Sequence, residues 1–271
     1  MRRRAVALAL VLSLLLFSLV GCRRDSPAGE GAPAPAQPFD YLGADLSAYP
    51  PLSREIYTDM TLVLSRKSVW LYDGEEPENT AADGDGTKGM ADEYDAETLR
   101  FALEDAVLLL LTEAYGDGEI PREDYAYNLA ALENYFESMR VYENTLLDLY
   151  GTPEDQSPDL ASYVAKTFSL VSATAGETYL RENARAMARA NLAVALVFHG
   201  VPLTLDPAVL REIAAALTEE TAADCFAPTG APLPSSEPLT ETHPYVRNQA
   251  LYDAVMDYLL RDGNYTIQWV D

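Results

Sequence analysis

The stretch from Gly176 to Glu220 constrains the fold of this chain most. Six alanines stand between Ala184 and Ala195, and Leu, Met, Glu and Arg fill most of the remaining places. These side chains lose little entropy in a helix. Leu180, Ala184, Met187, Val194 and Phe198 fall at helical spacings and share one face. Glu177 precedes Arg181 by one turn, the favourable order for an ion pair. Gly200 stands where a left-handed residue after a helix is wanted, and Pro202 forbids continuation. Asp206-Pro207 then restarts a helix, with Asp as N-cap and Pro in its first turn. A long helix, a sharp stop and a second helix follow.

The rest of the chain repeats this character. Asp95 to Tyr115 reads as a helix with Leu99, Ala102, Leu103, Ala106, Val107, Leu110 and Leu111 inward, closed by Gly116-Asp-Gly118. Ile120-Pro121 and a cluster of acids open the longest helix, Arg122 to Tyr150, which Gly151 stops. Tyr125, Leu129, Leu132, Phe136, Met139, Leu146 and Tyr150 form its seam, a four-three alternation interrupted by Glu143. That glutamate reads as a local gap facing solvent, with a polar contact as the less favoured alternative. Leu160 to Ala173 forms another helix, with Leu160, Tyr163, Val164, Phe168 and Val171 inward. Pro244 to Arg261 makes the last one. Alternating apolar residues indicate strands at Thr58 to Leu64, at Val69 to Tyr72 and at Tyr265 to Val270. The expected fold class is therefore mostly α, with a small β element near the N-terminus. Acid- and glycine-rich residues 73–93 and proline-rich residues 221–242 read as loops.

Arg2-Arg3-Arg4 followed by the apolar run Ala5 to Val20 reads as an export leader. Leu19-Val20-Gly21-Cys22 matches a lipobox. Residues 1–21 are thus expected to be a lipoprotein signal peptide, and Cys22 the lipidated N-terminus on the outer face of a bacterial membrane. Residues 22–39, rich in Pro, Ala and Gly, read as a tether without a core of its own. Residues 40–94 read as a small strand-and-loop segment, and 95–271 as the helical domain. The net charge of −24 excludes nucleic acid as a partner, because a phosphate backbone would be repelled. With Cys22 acylated, Cys225 has no intrachain partner, so no disulfide framework exists.

Motifs for chemistry are missing. No phosphate loop, H-E-x-x-H, C-x-x-C or G-x-S-x-G occurs. Asp83-Gly-Asp85-Gly-Thr87 echoes a calcium loop, but Lys88 stands where glycine is required and Tyr94 where the bidentate Glu belongs. The two histidines, His199 and His243, lie at helix ends and read as structural. Arg181, Arg185 and Arg189 step along one helical face and read as solvated partners of Glu177 and Glu182. No metal, cofactor or catalytic residue is expected.

Three segments resemble the helical chaperone domain of the trigger factor and SurA-like family. They are Arg181 to Phe198 with the turn Val201-Pro202-Leu203-Thr204-Leu205-Asp206, the junction Ile120-Pro121-Arg122-Glu123-Asp124-Tyr125, and the closing Tyr245 to Leu260. Asp40 to Tyr49 with the strand after it resembles the opening of trigger-factor-like lipoproteins of Gram-positive bacteria. The resemblance implies long helical arms that cradle unfolded or newly secreted polypeptides without catalysis. The family's isomerase domain has no room between the first strand and the first long helix, so its activity is not expected. Trp70 and Tyr72 offer at most a degenerate isomerase pocket, the least favoured alternative. Tyr127, Tyr135, Phe136, Met139 and Tyr142, on or beside the longest helix's stripe, are the candidate client-binding residues. The competing expectation is a helical adaptor that binds one folded partner at the cell surface.

Overall fold

The computed structural model describes residues 37–65, 96–218, 238–261 and 263–270. The leader, Cys22, most of the tether, the strand expected at Val69 to Tyr72, the loop carrying Asp83 and Asp85, and Cys225 lie outside the described residues. The protein is mostly α-helical with one small sheet. In chain order come β1 (Met60–Ser65), α1 (Ala96–Tyr115), α2 (Arg122–Tyr150), α3 (Leu160–Thr167), α4 (Ala173–Gly200), α5 (Pro207–Ala216), α6 (Pro244–Leu259) and β2 (Tyr265–Val270). The chain forms two compact units that interleave along the sequence. Of the described residues, the first takes 37–45, 119–192, 205–218 and 238–250, and the second 46–65, 96–118, 193–204, 251–261 and 263–270.

The second unit holds the sheet. β1 and β2 pair in parallel, with Met60 opposite Tyr265 and Ser65 opposite Val270. Met60, Leu62 and Leu64 are buried on the side that meets α1, while Thr61 and Val63 face out. This period-two burial is the strand pattern read from the sequence. On α1 the buried row is Ala102, Leu103, Val107, Leu108 and Leu111. Glu104 is buried with them. Its Oε1 accepts from Arg100 Nε at 2.8 Å and its Oε2 from the Tyr252 hydroxyl at 3.1 Å. Burial, together with that carboxylate, pushes the Tyr252 phenol far above its ordinary range. Arg100 also reaches Asp257 at 2.8 Å, so the buried carboxylate is part of a paired network.

The first unit is built on α2, α3 and the first part of α4. Leu132 and Phe136 of α2, Tyr163 and Val164 of α3, and Leu180, Ala184 and Met187 of α4 form its core. Phe168 stacks on Tyr179 with centroids 4.2 Å apart and meets Phe136 edge-on at 5.6 Å. A smaller cluster joins Ala214 of α5 and Val246 of α6 to Leu239. At Gly176 α4 lies tight against α3: a Cβ there would lie 2.2 Å from the Ala161 carbonyl oxygen. Gly176→Ala is therefore expected to destabilise by about 2 kcal/mol. The gain of about 1 kcal/mol in helix propensity is outweighed by overpacking against backbone. Urea unfolding measures this, and a stabilised variant would show that the two helices separate freely.

Two local expectations need correction. The helix expected over Leu160 to Ala173 stops at Thr167. Ser169 takes a left-handed conformation (φ 52°), Leu170 N–H donates to Ala165 O at 2.7 Å and Ser169 N–H to Lys166 O at 3.2 Å. That is a Schellman closure formed without glycine. Val171, expected inward, is consequently 97% exposed in the link to α4. Gly200, expected in the left-handed region, is instead the last residue of α4, and the chain turns at Val201 and Pro202, with Leu203 N–H donating to Val201 O at 2.8 Å. Asp206 caps α5, its Oδ1 accepting from Ala208 N–H at 2.7 Å.

Candidate functional site

α2 is 29 residues long, about 43 Å at 1.5 Å per residue. Its two halves have different surroundings. In the first half, Asp124, Asn128, Ala131, Leu132 and Phe136 are buried. Asp124, 2% exposed, is the unusual member. Its Oδ2 accepts from the Tyr41 hydroxyl at 2.8 Å and from Asn191 Nδ2 at 3.2 Å. Asn128 Nδ2 donates to the Asp124 backbone oxygen at 2.8 Å. Burial pushes the carboxyl up to about 6, against the lowering effect of these hydrogen bonds. Tyr41 belongs to the segment that leads out of the tether. Asn248 holds that segment too, accepting from Tyr41 N–H at 3.0 Å and donating to Phe39 O at 2.6 Å, and Arg247 pairs with Asp40 at 3.1 Å. The cluster is a polar clasp on the N-terminal segment.

The second half of α2 is held along one side by polar contacts. Arg140 pairs with Glu137 at 2.5 Å and donates to Ser157 O at 3.1 Å. Asn144 donates to the same oxygen at 2.9 Å and accepts from Ser157 N–H at 3.0 Å. Gln156 donates to Asp148 at 2.7 Å, and Lys166 of α3 to Glu143 at 2.7 Å. Glu143, expected to face a solvent gap, is therefore a polar contact. The link after α2 returns along the helix and stiffens it.

What this side leaves open is apolar. Met139 is 39% exposed, Tyr142 48%, Leu146 38%, Leu149 65% and Tyr150 85%. At about 100° per residue these five fall within roughly a third of the helix circumference. Of the residues expected to contact clients, Met139 and Tyr142 lie in this row. Phe136 is a core residue, 5% exposed. Tyr135 is half-buried, edge-on to Phe136 at 5.1 Å. Tyr127 is half-buried, its phenol pushed up by burial and by Tyr245 and Asp124 nearby. Leu146 and Tyr150 were visible in the sequence as seam residues, whereas Leu149 lies one position off that seam and was missed.

The other polar features are structural. Arg181 pairs with Glu177 at 3.5 Å, and Arg185 lies over the Tyr125 ring at 5.9 Å. His243 Nδ1 accepts from Tyr245 N–H at 3.2 Å at the start of α6. Among the described residues no group of three or more His, Cys, Asp or Glu is placed to hold a metal ion. Among them, too, no helix is long and apolar enough to cross a membrane. The chain matches no protein-family model, no curated protein and no solved structure.

Proposed function

We propose that this protein is a lipid-anchored polypeptide-binding protein of the outer membrane face, holding unfolded or newly secreted chains without making or breaking bonds. The observation that carries the reading is the exposed apolar row on the last turns of α2, from Met139 to Tyr150. Scattered exposed hydrophobics are ordinary, but a continuous row on one stiffened helix marks an interaction surface. Met and Tyr suit such a surface, the one by its adaptable shape and the other by joining an apolar ring to a polar tip. The strong negative charge keeps the protein soluble while it exposes that row. The lipobox pattern Leu19-Val20-Gly21-Cys22 after an arginine-led apolar run supports the location.

A second reading, an adaptor for one folded partner, is favoured by the shape of the surface, a single narrow row on one helix. Fluorescence anisotropy separates the two. The chain from Arg23 onward, which keeps every described residue, is titrated against several chemically unfolded secretory proteins and their folded forms. Micromolar binding to many unfolded chains and to no folded one is the expected result. Leu146→Glu with Leu149→Glu is expected to weaken that binding at least tenfold. At exposed positions the same pair changes stability by only about 0.5 kcal/mol per site. Failure of every unfolded chain to bind would remove the holding function.

A further inference from the structure

We infer that the α2 arm receives a partner segment in helical form, as an amphipathic helix with apolar residues at alternating three- and four-residue spacing and basic residues on its flanks. The inference rests on the polypeptide-binding reading and adds the conformation and chemistry of what is bound.

Met139, Tyr142, Leu146 and Leu149 are separated by three, four and three residues. This is the repeat with which one helix meets another along a shared seam. The protein already uses the same face in that way. Towards the start of α2 the alternation continues through half-buried Tyr135 and buried Leu132. Leu132 shares a core with Leu180, Ala184 and Met187 of α4, which are spaced four and three. One end of this face is therefore an established helix–helix interface.

The exposed row begins where the covering helix runs out. Asp124 meets Asn191 at 3.2 Å, and Tyr125 lies under Arg185. Further along α2, Phe136 meets Phe168, and that ring stacks on Tyr179. Later residues of α2 thus face earlier residues of α4, and the two helices are antiparallel. α4 begins at Ala173. Counting back from Arg185 and Asn191, and forward by the same steps from Tyr125 and Asp124, places that start opposite a point between Glu137 and Tyr142. Beyond it α2 continues to Tyr150. A docked helix would therefore continue the line of α4 along about two to three turns of α2.

Charge selects among helices. Glu137, Glu143 and Asp148 lie on the arm itself, and Glu154 and Asp155 follow in the link. Each of the first three has a partner: Glu137 pairs with Arg140, Glu143 with Lys166 and Asp148 with Gln156. The surrounding field is nonetheless negative, as is the whole chain at −24. A second copy of this chain would bring the same charge to the contact. Lys- or Arg-flanked segments are drawn to it.

Two fluorescein-labelled peptides of one composition test this. In the first, leucines stand at three-four spacing among lysines and alanines. In the second, the same residues alternate with period two, and two D-amino acids bar the helix. The chain from Arg23 onward is titrated with each, and circular dichroism follows peptide helicity. The helical peptide should bind at least tenfold more tightly and gain helicity. Leu146→Glu with Leu149→Glu should abolish that preference, whereas Val209→Glu, at an exposed apolar site on α5, should leave it intact. Equal binding of both peptides would overturn the inference and leave the holding function standing. So would binding of unfolded proteins with neither peptide bound, or a preference unchanged by the double variant. A dimer of the chain alone that the double variant dissociates would also overturn it, assigning the row to a second copy. If neither peptides nor unfolded proteins bind, both readings fall.

Discussion

Phe136→Ala is expected to remove about 3–5 kcal/mol of folding stability, as large aromatic truncations in a core do. Its ring lies among Leu132, Tyr163, Val164, Leu180 and Met187 and meets Phe168 edge-on. Those neighbours cannot all collapse onto the space it leaves. Domains of this size have stabilities of about 5–15 kcal/mol, so such a loss unfolds a measurable fraction of the protein. Met139→Ala, three residues further on, is expected to cost about 0.5 kcal/mol, because that side chain is already partly in solvent. Urea titration of the two variants side by side gives the contrast. Similar small losses at both sites would mean that the seam of α2 is open along its whole length.

The second large effect is a loss of stability with rising pH, traceable to Asp124. Burial raises its carboxyl from the ordinary 3.8 to about 6. Between those values the native protein keeps a proton that the unfolded chain has given up. The stabilising contribution is complete below about pH 4 and lost as pH rises through 6, at a cost of up to about 3 kcal/mol. Asp124→Asn isolates it. The carboxamide oxygen still accepts from Tyr41, and the side chain never ionises. The variant should match the wild type near pH 4 and become more stable than it by up to about 3 kcal/mol at pH 7. Parallel curves would show that the carboxyl titrates normally and that the clasp is hydrated. Hydrogen exchange in residues 39–45 offers a local readout, because Tyr41 and Asn248 hold that segment against the same group.

The helices were legible where capping chemistry and periodicity agree. Pro121 before an acidic first turn and Gly151 after Tyr150 bracket α2, and the alternation in Tyr265 to Val270 marks β2. The end of α3 was not legible, because a serine takes the left-handed position that usually signals itself as glycine. Nor was the buried role of Asp124: its partners Tyr41 and Asn191 are distant in sequence, and an acid in a first helical turn ordinarily faces water. The surface row was read in part. Met139 lies in the sequence stripe and Tyr142 beside it. The sequence alternation is interrupted at Glu143, which Lys166 holds on one side. The open face includes Leu149, which lies one position off that alternation and carries no periodic signal of its own.

The parallel pairing of β1 with β2 has a consequence for folding during synthesis. Met60 waits for Tyr265, and almost all of the intervening chain must be made before they can meet. A contact of that sequence separation is slow to close. During synthesis β1, with its apolar Met60, Leu62 and Leu64, is made long before its neighbour strand. The helical hairpins, whose partners lie close in sequence, are complete by then. A chain interrupted before Tyr265 lacks the strand that pairs with β1.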